Sequence, residues 1–280
     1  MTRERTITRA FAELRDGQIH YATCGSDDAP PVLLLHQTPR SWREYALVLP
    51  ILGRRYRAIA MDTLGYGDSA RSVDGNVSIE RWAGVAVELL DHLGIERAHV
   101  VGHHTGGVIA VEIAASHPER VEGLVLSSTP FTSPEFRKQR AERPPIDHVE
   151  PSDDGSHLTD LWRQRQSFYP KHRPDLLLAF VRDALVVIDD VEGGHTAVAT
   201  YQMENTISAV KAPTLLICTT DDPFAIPHSH ELCNQLTHAA SVERVDIEGG
   251  MVPLPDQLPV QFAEAVQSFL LALNPDWAAR

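Results

Sequence analysis

The stretch 98–107, AHVVGHHTGG, sets two imidazoles at the end of an apolar run and against a glycine-rich turn. Gly102 and Gly106 bracket His103, His104 and Thr105. They remove side chains where an extended strand must turn sharply into a helix. The apex residue of such a turn, His104, is pushed up towards a pocket floor. A neutral imidazole in that position can take a proton from water or attack an electrophile. The direction of His103 is open. Other groups that could do chemistry are scattered along the chain. His36 closes the run PPVLLLH, Asp62 closes YRAIAMD, and Asp221-Asp222 follow APTLLICTT. His195 follows two glycines, and His228 and His230 sit at a helix start where solvated roles are common. His36, His103, His104 and Asp222 are ligand types that suit zinc, but no compact spacing motif joins them, so no metal site is expected.

Those groups must be positioned by a chain of 280 residues, long enough to bury a sizeable core. The formal charge of -13, with no basic stripe, argues against a nucleic-acid partner. Cys24, Cys218 and Cys233 form no CxxC pair, so neither a disulfide scaffold nor a thiolate metal site is expected. The opening MTRERTITRAFAEL has charge but no apolar h-region, and no apolar run approaches a membrane span. A cytoplasmic protein, without membrane association, is the expectation.

FAELRDG and QIHYATCG read as strands joined through the hairpin signal Asp16-Gly17. PPVLLLH, YRAIAMD, AHVVG and VEGLVLSS are short apolar strands, with helices predicted over 40–52, from Ser78 to Leu93, and from Thr105. Ser78 is a helix cap and Gly94 a stop. Buried strands alternating with helices predict a doubly wound, mostly parallel sheet. Residues 131–209 break the rhythm with a polar, proline-rich loop and three helical patterns. APTLLICTT, SVERVDIEG and a final helix in PVQFAEAVQSFLLAL then resume it. The expected division is a core over 1–130, an inserted helical cap over 131–209, and the core again over 210–280.

Six pieces occur in an order that resembles the α/β-hydrolase superfamily over nearly the whole chain. They are LLLHQTP, MDTLGYGDS, VVGHHTGG, HPERVEGLVLSSTP, APTLLICTTDDPF and GGMVPLPDQLP. The resemblance implies an α/β fold, with a central sheet flanked by helices under a helical cap. It also implies positions for a catalytic triad. The elbow position, commonly Ser, Asp or Cys, is His104; the acid position falls best on Asp222, with Asp221 beside it; the base-histidine position is Met251. Two of the three positions depart from the pattern. Without a hydroxyl, thiol or carboxylate at the elbow the usual acyl- or alkyl-enzyme is lost, and methionine cannot accept a proton.

The paired departures point to a His104–Asp222 dyad, with Met251 leaving space for the longer imidazole and packing flexibly against it. Direct attack by His104 is a second option. The resemblance also implies backbone oxyanion donors at Gln37 and Thr105, an orienting role for His36, and loop-setting roles for Asp62 and the Asp68-Ser69 turn. Trp42, Tyr66, Phe131, Trp162, Phe168 and Tyr201 are candidate pocket walls, and His195 could reach over the pocket from the cap. The expected activity is cofactor-independent hydrolysis of a small ester, lactone or activated carbonyl compound. The competing readings are a lyase, isomerase or decarboxylase using the same histidine, and a small-ligand binding protein with a retired triad. The expected partner is a small-molecule substrate, and a homodimer is left open.

Overall fold

A computed structural model describes residues 6–274 apart from 73–74 and 225. Residues 1–5, the start of the stretch read for a leader, therefore lie outside the described residues. Among the described residues eight strands form one sheet: β1 (Thr8–Leu14), β2 (Gly17–Cys24), β3 (Pro31–Leu35), β4 (Arg57–Met61), β5 (Ala98–His103), β6 (Val121–Ser127), β7 (Thr214–Thr219) and β8 (Val242–Ile247). Their spatial order is β1-β2-β4-β3-β5-β6-β7-β8. β1 and β2 form the expected hairpin, β2 meets β4 antiparallel, and β4 through β8 pair in parallel.

The apolar strands are apolar because both faces are covered. In β3, Leu33 and Leu35 pack into the cluster that contains the helices Ile79–His92 and Thr105–Ser116. Val32 and Leu34 face the opposite cluster, which contains Phe262, Val266 and Phe269 of the helix Pro259–Leu273. Helix signals held where they were strongest. The Ser78 hydroxyl accepts from the Arg81 N–H at 3.2 Å, and Gly94 follows the helix with φ +69°. The helix predicted over 40–52 is instead two short pieces, a 3-10 turn Trp42–Tyr45 and a helix Leu49–Leu52. Within that segment the buried Tyr45 hydroxyl donates to the Leu35 carbonyl, and the buried Glu44 carboxylate accepts from Gln37.

Between β6 and β7 the chain adds only helical elements, including Pro134–Ala141, Ser156–Arg165, Pro174–Val186 and Gly193–Thr200. Among the described residues, no helix is long and apolar enough to cross a membrane. The parallel strands end at one edge of the sheet, and that edge collects the loops after β3, β5 and β7 where a ligand site is expected.

Candidate active site

His104 joins β5 to the helix Thr105–Ser116 with φ 47° and ψ -113°, a conformation costly for a side-chain-bearing residue. The glycines around it allow the turn to close. A Cβ on Gly102 would lie 2.2 Å from the Gly106 carbonyl oxygen, and one on Gly106 would lie 2.0 Å from that of Leu35. Neither position admits any other residue without moving backbone. The His104 side chain emerges 13% exposed, with Nε2 2.8 Å from Oδ2 of fully buried Asp222. This is an ion-pair distance, although the contact is not aligned as a hydrogen bond. Asp222 is held from its own loop by the Phe224 N–H at 2.9 Å. Burial pushes its carboxyl up, but the His104 imidazole and the Phe224 N–H outweigh burial and hold it below the usual carboxylate range.

His103 faces the other way and is fully buried. Its Nε2 lies 2.8 Å from the Val252 carbonyl, which can only accept, so Nε2 carries the proton. Nδ1 therefore accepts from the Ser127 hydroxyl at 3.0 Å. Burial, reinforced by the adjacent His104, pushes its pKa down to about 3 and keeps it neutral. His103 is a structural crosspiece between β5, β6 and the loop before the last helix, not a pocket residue.

The loop after β3 holds His36 by contacts that suit the orienting role expected of it, and it corrects the assignment at Gln37. His36 is fully buried, bonded to the Gln37 carbonyl through Nδ1 (2.8 Å) and to the Thr63 N–H through Nε2 (3.0 Å). It orients the loop and does not line the cavity at His104. The Gln37 N–H, expected as an oxyanion donor, is taken by the Glu44 carboxylate at 3.0 Å, while the Gln37 amide bonds Glu44 at 2.5 Å and the Val252 carbonyl at 3.3 Å. Burial pushes the Glu44 carboxyl up to about 7 against the opposing pull of Arg40 and the Gln37 donors. Sequence reasoning missed the next residue. Thr38 lines the cavity, its hydroxyl 3.0 Å from that of Thr105. Among the described residues no protein acceptor takes the N–H of Thr38 or Thr105. Thr105 stands at the first position of its helix, where the N–H has no intrahelical partner.

His104, Thr38 and Thr105 open into a cavity of about 580 Å³ whose upper wall comes from the helical insertion. Phe136, Phe168 and Phe224 supply its aromatic surface, and His195, Arg165 and Arg140 its polar surface. Of the six aromatics anticipated, only Phe168 lines it. Trp42 is instead packed beside His20 and under the guanidiniums of Arg9 and Arg43, at 5.6 and 5.5 Å. Phe131 is buried in the main apolar cluster, and Trp162 packs against that cluster from the insertion. Met251 is half-buried, its N–H donating to Gln257 at 2.8 Å, and Val252 supplies the cavity wall there.

His195 does reach the cavity, with Nε2 2.7 Å from Oδ2 of buried Asp147. Asp147, Glu192 and His195 are ligand types that converge. Arg165 engages both Asp147 oxygens, so a cation already neutralises that group.

With that fold and site in view, the chain matches the family model of the α/β hydrolase fold over residues 30–251. The chain belongs to the α/β-hydrolase family. It is 34% identical over 131 residues to "Epoxide hydrolase 1" of Caenorhabditis elegans, covering 46% of this chain and 32% of that protein. It is 41% identical over 99 residues to a 2-hydroxymuconate semialdehyde hydrolase of Pseudomonas sp., covering 34% of this chain and 35% of that one. The matches span about a third of the length of these curated relatives. In three dimensions it resembles an enol-lactonase from Burkholderia xenovorans with a TM-score of 0.75 at 23% identity, covering 93% of this chain and 99% of that one. The last likeness concerns the fold alone.

Proposed function

We propose that this α/β-hydrolase-family chain is a cofactor-independent hydrolase of a small ester, lactone or activated carbonyl compound. The observation that carries the reading is the 2.8 Å approach of His104 Nε2 to Asp222 Oδ2 beneath the cavity. Asp222 takes the Nε2 side and fixes the ring, which leaves Nδ1 as the base. A water at Nδ1 gives up its proton as its oxygen bonds the carbonyl carbon. The developing oxyanion is met by the N–H groups of Thr38 and Thr105, in place of the Gln37 donor anticipated from sequence. Collapse of the adduct breaks the bond to the leaving group. The helical insertion acts as the cap, and its phenylalanines suit a small, partly apolar substrate. The hydrolase names of the relatives support the class of reaction. Cytoplasmic residence belongs to the same proposal, supported by three free thiols.

The test is turnover of a panel of short esters and lactones in ¹⁸O-labelled water. One solvent oxygen is expected in the acid product. His104→Ala and Asp222→Asn are each expected to lower kcat/KM by about 10²–10⁴-fold. A product without solvent oxygen would replace hydrolysis by lyase or isomerase chemistry. Full activity in His104→Ala would remove the imidazole from the mechanism.

A further inference from the structure

Resting on that hydrolytic reading, we propose that His195 is a second proton-transfer group, delivering a proton to the leaving group from the cap side of the cavity. The sequence places it there through Gly193-Gly194 at the start of the helix Gly193–Thr200. A Cβ on Gly194 would lie 2.4 Å from the Thr38 hydroxyl oxygen. The helix start therefore rests on the oxyanion loop, and the residue after it is carried over the floor. Thr38 in turn touches Thr105, the neighbour of His104. His195 and His104 thus line one cavity, the first from the insertion and the second from the end of β5.

The side-chain setting matches proton transfer more closely than packing. Asp147, an anion that can only accept, lies 2.7 Å from Nε2, nearer than the Arg165 Nη2 donor at 3.2 Å from the same nitrogen, so the Nε2 proton is assigned to the shorter contact. Among the described residues no protein group takes Nδ1, which leaves that nitrogen to meet a ligand. Arg165 holds both Asp147 oxygens and also lies 3.2 Å from the His195 ring. Glu192 accepts the Asp147 N–H and lies 3.5 Å from Arg140. Two arginines are thus set against Asp147 and Glu192. An imidazole that only filled space would need neither a buried carboxylate nor its guanidinium clamp.

The balance of the step is simple. His104 Nδ1 receives the proton of the attacking water. As the carbon–oxygen bond of the adduct breaks, the electron pair goes to the departing oxygen, and His195, entering the step doubly protonated with its Nε2–H on Asp147, gives that oxygen its Nδ1 proton. Solvent then returns a proton to His195 and removes one from His104, so ester and water become acid and alcohol.

The experiment compares p-nitrophenyl butyrate with ethyl butyrate. They share an acyl group, but only the second leaving group needs a proton at neutral pH. In His195→Gln, with His195→Asn as a second variant, the ratio of the two kcat values is expected to move against ethyl butyrate by about a hundredfold or more. Melting curves verify that each variant is folded. His104→Ala is expected to lose both substrates alike. An unchanged ratio in folded His195 variants overturns this inference and leaves the His104 reading standing. Undiminished turnover of both esters in His104→Ala overturns the His104 reading, whatever the His195 ratio. Turnover of neither ester by the wild-type chain overturns both.

Discussion

The floor of the cavity joins His104 to Asp222, and the roof joins His195 to Asp147, at 2.8 and 2.7 Å. The two pairs are held by different physics. The floor pair hangs from the ends of β5 and β7, whose positions are fixed by ladders and by apolar packing on both faces. Its acid is secured by a backbone N–H, and its base by a strained turn. In the roof pair His195 sits on a helix of the insertion and Asp147 on the loop between two others, where a buried arginine clamps the acid. Strand geometry sets the floor, and charge pairing sets the roof.

The sharpest way to break that contrast is to remove charge from the roof. In Asp147→Asn, Arg165 stays buried without its anion, and the expected cost is about 3–5 kcal/mol in folding stability. Burial pushes the Asp147 carboxyl up, but Arg165 and His195 more than reverse this and hold it far below the usual range. The loss should appear in urea unfolding and in protease cleavage within 134–209. A cost under about 1 kcal/mol would mean that apolar packing holds the roof as it does the floor.

A smaller effect comes from His103 of β5, the buried neighbour of His104. Burial keeps His103 neutral to about pH 3, against 6.5 for an ordinary histidine. As pH falls below 6.5, the unfolded chain takes up a proton that the folded chain refuses. Stability is therefore full above that value and is lost between 6.5 and about 3. The slope approaches about 1.4 kcal/mol per pH unit from this group. His103→Gln should lose about 2 kcal/mol less than wild type between pH 7 and 5 in urea unfolding. Equal losses in the two proteins would remove His103 as the source.

The same contrast explains what could be read from residues alone. The strands, the elbow and Asp222 were legible, because buried parallel strands are continuous apolar runs and the acid follows one directly. On the proposed reading the oxyanion donor lies one residue beyond the one that the sequence suggests. The Gln37 N–H is captured by Glu44 seven positions later, and nothing in SWREY announces that Glu44 is buried. Pocket walls were misassigned for a related reason. Trp42 and Phe131 follow strand ends, yet their directions are set by His20, Arg9 and the main cluster, not by residue type. In the insertion, Phe136 and Arg165 lie in short polar helices, where periodicity does not distinguish cavity from solvent.

The smallest expected effect isolates backbone strain. His104→Gly and His104→Ala both delete the imidazole and leave Asp222 equally unpartnered, so their difference reports the φ of 47° alone. Glycine adopts positive φ without a Cβ penalty, and the glycine variant should be more stable than the alanine variant by about 1 kcal/mol. In the roof the order should reverse. Thr196 is exposed in a regular helix, and Thr196→Ala should exceed Thr196→Gly by about 1 kcal/mol. Four urea-unfolding curves decide the matter. If alanine is also the more stable residue at position 104, the elbow carries no strain, and the floor is held by packing alone.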